Sequence, residues 1–334
     1  MSNLSCSEAG IFCGIDVSAA TLAVAVGPNQ QREFANTAAG HQQLIAWLGK
    51  MGSARVSLEA TGIYSLDLAL ALDAAAAIQC AVLNPKSVHS FAKTLRRSKT
   101  DKADAQTLAE YSQRMPFVPW RPPSREALRL RSIGRPIESL TLERVRDNNR
   151  LHAAEGSTST PRCVLQDLRQ SIKTLDRRIR SLRHQAVALV GEDATLRRHF
   201  ELLTAMPGIA AISALHLLGE LSALPNGLSV RQWVAHSGLD PAHQTSGTSV
   251  HKPSRISRAG SRHLRRALYM PALVAARRDP HFTAFYPTLL ARHKAKLQAL
   301  IAVARKMLHA IYGISKHQQP YNGALLFPNL IPTS

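Results

Sequence analysis

Apolar residues along the chain recur with one rhythm up to about Gln113, a second through about Leu189 and a third beyond it. In the first stretch, Ile11–Val17 and Thr21–Val26 are short apolar runs joined by a tight connection, and Arg32–Asn36 extends the series; each predicts a β-strand. His41–Met51 carries Leu44, Ile45 and Leu48 at helical spacing, Arg55–Glu59 predicts another strand, and the Ala- and Leu-rich run Ile63–Ala77 predicts a helix. Ile78–Leu83 predicts a strand and Pro85–Leu95 a helix opened by proline, while Thr100 is an N-cap for a helix running to about Ser112. Strands followed by crossover units predict an α/β domain with a mixed sheet over residues 1–120.

Met115–Ser124 holds four prolines and predicts a linker. Beyond it, Leu165, Leu168, Ile172, Leu175, Ile179, Leu182, Ala186 and Leu189 alternate spacings of three and four, the a/d seam of a long helix. A weaker seam precedes it at Leu130, Ile133, Ile137 and Leu140, reaching Leu151 after polar interruptions, with the small-residue turn Glu155–Pro161 between the two. This pattern predicts a helical hairpin, a coiled-coil arm over residues 121–198, whose strict seam offers an oligomer contact and whose first helix is kinked or delayed by Pro136. From Leu202 onward, apolar helical runs with glycine punctuation predict a mainly helical domain over 199–334 with an irregular tail from Gln318.

Charge turns this architecture toward one class of partner. Forty-two Lys and Arg against twenty-two Asp and Glu give a net charge of +20, so a polyanion is the natural ligand and an acidic small molecule is an insufficient explanation. At 45% hydrophobic the chain is not generally disordered, and its longest apolar stretch, Leu66–Leu83, is broken by Asp67, Asp73 and Gln79, which argues against a membrane span. The opening MSNLSCSEAG lacks a signal-peptide layout, and Cys6, Cys13, Cys80 and Cys163 form no CxxC pair, so we expect a reduced, cytoplasmic protein associated with the nucleoid. Between Lys252 and Lys316 stand fourteen Lys or Arg and the single acid Asp279, a bias that a solvated face of mixed sign would not show. Lys99, Lys102, Lys252, Arg255, Arg258, Arg262, Arg265 and Arg266 are the candidate nucleic-acid contacts. Gly208 joins them because Pro207-Gly208, between two apolar helical runs, resembles a helix-hairpin-helix turn that offers backbone N–H groups to phosphate. Aromatic residues are only 5% of the chain, so charge and shape outweigh base stacking.

Four acids carry the candidate chemistry. Asp16 ends the first strand, Glu59 ends another, and Asp101 and Asp104 share one face at the start of a helix. Strand ends and neighbouring helix starts converge on one rim of an open α/β sheet, and carboxylates gathered there suit Mg²⁺ or Mn²⁺. Taken singly, each acid also reads as a turn residue, a surface acid or a favourable charge at a helix N-terminus. Downstream, Ser246 is followed by glycine in TSGTS, with Thr245 and Ser249 close by, and the residues alone leave the choice of nucleophile open.

The segments GIDVSAATLAVAV, SLEATGIYSLDLALAL, VLNPKSVHSFAK and SKTDKADAQTLAEY resemble, in order, the RuvC-like half of bacterial insertion-sequence transposases that carry four metal-binding acids, a serine domain and a guiding bridge RNA. The resemblance implies an RNase-H-like fold and assigns metal binding to Asp16, Glu59, Asp101 and Asp104. WVAHSGLDPAHQTSGTSVHKPSRISRAGSRHLRRAL is similar to the family's C-terminal domain, with Gly238-Leu239-Asp240-Pro241 and then Ser246-Gly247 at the motif positions, although PGIA stands where PGIG is frequent. That similarity makes Ser246 the nucleophile of a phosphoserine link to DNA, activated by acids distant in the chain. The expected protein is an RNA-guided DNA recombinase acting on element and target DNA as a dimer to tetramer. The competing readings are a Holliday-junction-type nuclease using the first domain alone, and an inactive nucleic-acid-binding regulator.

Overall fold

The computed structural model describes residues 10–27, 29–60, 62, 64–95, 100–225, 227–246, 250–292 and 294–330, with backbone alone at 243–246 and 250–253. The chain divides into two compact units, Met1–Pro122 and Pro123–Ser334.

In the first unit, β1 (Ile11–Val17), β2 (Thr21–Val26), β3 (Gln30–Ala35), β4 (Ala54–Glu59) and β5 (Ile78–Leu83) form one sheet in the order β3-β2-β1-β4-β5. β1, β2 and β3 pair antiparallel, whereas β1, β4 and β5 run parallel. The connecting helices are α1 (Ala38–Gly49), α2 (Leu66–Asp73), α3 (Pro85–Leu95) and α4 (Asp101–Arg114). This is the expected α/β mixed sheet, consistent with a RuvC-like domain. α2 is shorter than the apolar run Ile63–Ala77 suggests, because Gly62 holds a left-handed turn at φ 74° and Ser65 stands at the N-cap.

Alternation sorts the strand side chains between two unlike faces. Cys13, Ile15 and Val17 of β1, with Leu22, Val24 and Val26 of β2, bury against Leu44 and Leu48 of α1 and Leu68 and Leu72 of α2. On the other face Ala23 and Ala25 meet Ala105 of α4. A Cβ on Gly14 would lie 2.1 Å from the Ala105 carbonyl oxygen and 2.2 Å from the Ala109 amide nitrogen, so the missing side chain is what admits α4 onto β1. Thr100 caps α4 by accepting from the Ala103 amide at 3.2 Å, as its sequence position implies.

The second unit opens with α5 (Arg125–Glu155) and α6 (Arg162–Glu192), an antiparallel hairpin turning at residues 156–161, with α5 continuing through Pro136. Ile137 and Leu140 of α5 bury with Leu175 and Ile179 of α6, so the central part of the strict seam is engaged within the chain. Toward the turn, Leu165, Leu168 and Ile172 are only half-buried. Polar pairs take over there: Arg144 with Asp176 at 2.9 Å, Ser171 with the buried Asp147 at 2.6 Å, and Arg169 with Glu155 at 2.8 Å. These side chains account for the polar interruptions of the first seam.

Beyond the arm, α7 (Ala194–Thr204), α8 (Ala211–Leu221), α9 (Val230–Ser237), α10 (Arg262–Arg278), α11 (Pro280–Ala291), α12 (Lys296–His317) and α13 (Gly323–Leu326) surround a core that includes Leu218, Leu268, Met307 and Ile311. The arm does not stand apart from this bundle, since Leu130, Ala186 and Leu189 belong to the same core. Between α9 and α10 an antiparallel ribbon emerges, β6 (Pro241–Ser246) with β7 (Val250–Ile256), an element that helical periodicity did not foreshadow. Among the described residues no helix is long and apolar enough to cross a membrane.

Candidate functional site

The close seat of α4 on β1 brings the acids together. Ile15 pairs with Leu58 across the parallel β1–β4 ladder, so Asp16 and Glu59 follow side by side at the same sheet edge. Both fall on the face opposite the large apolar core, the face that α4 covers. Asp101 and Asp104 occupy the first turn of α4, one turn before the Ala105–Ala109 contact with Gly14. The electrostatic result is visible at Asp16: burial, then the charges of Asp104, Asp101 and Glu59, push its carboxyl up to about 6.

Four carboxylates that repel one another suit a hard divalent cation, which relieves the repulsion on binding. No three or more His, Cys, Asp or Glu side chains are already drawn to ion-holding distance among the described residues. The donor type suits a hard cation.

Asn36 and His41 were not singled out in the sequence, yet they brace this rim. The Asn36 side-chain amide donates to the Ser18 carbonyl at 2.7 Å and to the Tyr64 carbonyl at 3.2 Å, linking the turns that follow Asp16 and Glu59. His41 Nε2 in turn meets Asn36 Oδ1 at 2.8 Å. No spacing in the sequence signals this bridge, because it is made through backbone carbonyls.

The serine stands on the ribbon. Ser246 ends β6 opposite Val250, so it lies where the two strands give way to the 247–249 connection; Gly247, Thr248 and Ser249 lie outside the described residues. The GLDP segment forms the root. Gly238 adopts φ 63°, where a Cβ would meet Arg265 Nη1 at 2.6 Å, and the Gly260 position would bring one within 2.0 Å of the His236 carbonyl oxygen. Ser257 donates to Asp240 Oδ1 at 2.5 Å, and its amide reaches the Asp240 carbonyl at 2.8 Å.

The candidate cations divide by environment. Arg265 donates to the Ser237 and Gly260 carbonyls at 2.8 and 2.9 Å, bracing the ribbon root. Arg266 pairs with Glu138 of α5 at 2.9 Å, while Arg255, Arg258 and Arg262 are exposed. Lys102 is exposed in the first turn of α4, whereas Lys99 and the Lys252 side chain lie outside the described residues. Gly208 has a packing role: at φ 93°, its missing Cβ leaves room for the Pro271 carbonyl oxygen, which would otherwise be 2.6 Å away.

A buried polar network ties the arm to this root. Glu220 of α8, 8% exposed, accepts from Arg135 Nε at 2.8 Å and from Ser261 Oγ at 3.0 Å. Ser261 caps α10, and its amide donates to the His236 carbonyl at 2.6 Å. Glu138 holds both His263 and Arg266; burial raises its carboxyl, but those two partners outweigh burial and keep it below the usual range. His216 lies in the same cluster, and burial lowers its imidazole.

Two family models match in series: DEDD_Tnp_IS110, described as a transposase, over residues 13–154, and the Transposase IS116/IS110/IS902 family over residues 200–287. The chain is 29% identical over 321 residues to the pilin gene-inverting protein of Moraxella bovis, covering 93% of this chain and 97% of that one. Its counterpart in Moraxella lacunata aligns with the same identity and coverage. The transposase for insertion sequence element IS1328 of Yersinia enterocolitica is 29% identical over 227 residues, or 60% of this chain and 65% of that relative.

Proposed function

The chain belongs to the IS110-family transposases, and on that premise we propose that it cuts and rejoins element and target DNA through a phosphoserine intermediate, with a non-coding guide RNA selecting the sites. As a DNA transposase or recombinase, it shares its class with the transposase and gene-inverting relatives. The observation that supports the reading is the placement of Asp16 and Glu59 at neighbouring strand ends, on the sheet face covered by α4, whose first turn carries Asp101 and Asp104.

Asp16, Glu59, Asp101 and Asp104 would hold Mg²⁺ or Mn²⁺. When bound, such an ion stabilises the charge that develops on phosphate oxygens during displacement. Ser246 Oγ attacks phosphorus; the bond to the 3′ oxygen breaks, and the serine proton passes to that leaving oxygen. A 5′-phosphoserine and a free 3′-hydroxyl result. Attack by a 3′-hydroxyl on the phosphoserine reverses the exchange, so rejoining draws on no external energy source. Guide pairing suits a basic, aromatic-poor chain, because base pairing then supplies the specificity while protein cations bind backbone. Several DNA ends must be handled together, which favours a dimer or tetramer in the cytoplasm, at the nucleoid.

The test is capture of the covalent adduct on element-end DNA, located by peptide mass spectrometry. An adduct at Ser246 is expected. Its location at Ser249 or Thr245 overturns the serine assignment. Strand cleavage without any adduct favours the junction nuclease, and binding without cleavage favours the regulator.

A further inference from the structure

Several arginines of the second unit have a defined partner: Arg135, Arg144, Arg150 and Arg266 each meet a carboxylate, and Arg265 is held by two carbonyls. A different arrangement lines a cavity of about 450 Å³ between α9, α11 and α12. Arg231 of α9 and Arg305, Lys306 and His309 of α12 all border it; among the described residues no ion pair engages Arg231, Arg305 or Lys306, and Lys306 Nζ lies 5.1 Å from the centre of the Phe327 ring. Arg305, Lys306 and His309 are half-buried, so they are not simply a solvated helix face. Among the described residues Asp240 is the one acid in the lining, and its Oδ1 accepts from Ser257 at 2.5 Å.

Crowded like charges facing one concavity destabilise the free protein and favour an anion. Burial depresses the Lys306 ammonium, and burial, then the Lys306 and Arg305 charges, depresses the His309 imidazole. Val234 and Phe285 form the apolar part of the lining. Asp240 and Pro241 belong to the cavity wall and also begin the ribbon that ends at Ser246.

We propose that the cavity bordered by Arg231, Arg305, Lys306 and His309 is a phosphate-binding subsite that grips the backbone of the DNA strand beside the root of the serine ribbon. The site differs from the basic run leading into α10, and it acts by holding the strand rather than by touching the reacting atoms. The choice of DNA over RNA rests on the reading of Ser246 as the DNA nucleophile; the anion site itself rests on the cavity.

The experiment titrates full-length protein carrying Ser246→Ala with a short element-end DNA duplex over a range of salt concentrations. Arg305→Gln with Lys306→Gln should weaken binding about tenfold at physiological salt and reduce the slope of log affinity against log salt by about 2, and Arg231→Gln alone by about 1. Lys306→Arg, which keeps the charge, should restore binding. Lys173→Gln with Arg177→Gln, an equal charge change at exposed positions of α6, is the control and should cost much less. Thermal melting of each variant separates lost binding from lost folding, and the exposed Arg231 provides the variant least tied to packing. An equal loss in the control pair, no loss in the cavity variants, or a loss seen with RNA of the same sequence and not with DNA overturns the subsite. Adduct formation is scored separately in protein that keeps Ser246: an adduct there with no salt effect of the cavity variants leaves the catalytic reading standing and removes the anion site, and absence of the adduct with an intact salt effect removes that reading and keeps the anion site.

Discussion

In the first unit the candidate acids stand at the ends of β1 and β4 and on the first turn of α4, each fixed by regular backbone. In the second, Ser246 stands at the end of a two-stranded ribbon whose support comes from its root: Gly238, Asp240, Ser257, Gly260 and Arg265. The close backbone approach of α4 to Gly14 sets Asp101 and Asp104 on the sheet face that carries Asp16 and Glu59. A single hydroxyl needs no such approach, so a ribbon held only at its base suffices. The acids are thus set by regular backbone, and Ser246 by a ribbon anchored at its root.

The largest effect should come from deleting either half of the chemistry. Asp104→Ala and Ser246→Ala should each reduce adduct formation by roughly 10³-fold or more, and the double variant should be no worse than either alone, because groups acting as a unit are non-additive. Additive losses in a quantitative cleavage assay would break the comparison by making the two regions independent.

Next comes the root of the ribbon. Glu220→Ala strands Arg135 beside Arg131 and releases Ser261, and should cost about 3 kcal/mol in denaturant unfolding while leaving Mg²⁺ binding by the first unit unchanged. Gly14→Ala makes the complementary cut. The new Cβ displaces α4, which should cost about 2 kcal/mol and weaken the response of stability to Mg²⁺. An unaltered Mg²⁺ response in that variant would show that α4 does not set the spacing of the acids.

The smallest of these effects is a pH slope. The Asp16 carboxyl rises from its ordinary 3.8 to about 6, so between those values the folded state holds a proton that the unfolded chain has released. With metal chelated, stability should therefore fall as pH rises from about 4 to about 6. Asp16→Asn should flatten this slope in thermal melts. A slope unchanged by Asp16→Asn would place its origin in another group.

The strands and caps of the first unit were legible because each is a local pattern. Ile11–Val17, Thr21–Val26 and Ile78–Leu83 fall on the residues expected, and Thr100 caps the helix that carries two of the acids. The long hairpin was legible through its a/d seam, although part of that seam packs inside the chain, so Ile179→Glu would report on folding before assembly. The ribbon escaped notice because Pro241–Ser246 is polar and carries no apolar alternation. Its order comes from GLDP and the Gly260 turn, which meet only in space. The Asn36 bridge and the Glu220 network escaped for the same reason, since a buried hydrogen bond between residues 85 apart leaves no periodic trace.

The arm also carries a mechanical consequence. Its two 31-residue helices are gripped by hydrocarbon near the bundle and by ion pairs toward the turn. Cohesion therefore changes character along its length, from a part indifferent to salt to a part that salt loosens. Amide protons near Glu155 and Arg169 should exchange with solvent deuterium sooner than those near Ile137 and Leu175, and added salt should widen the gap. That outcome would make the hairpin a graded spring, stiff at its mounting and compliant at its tip.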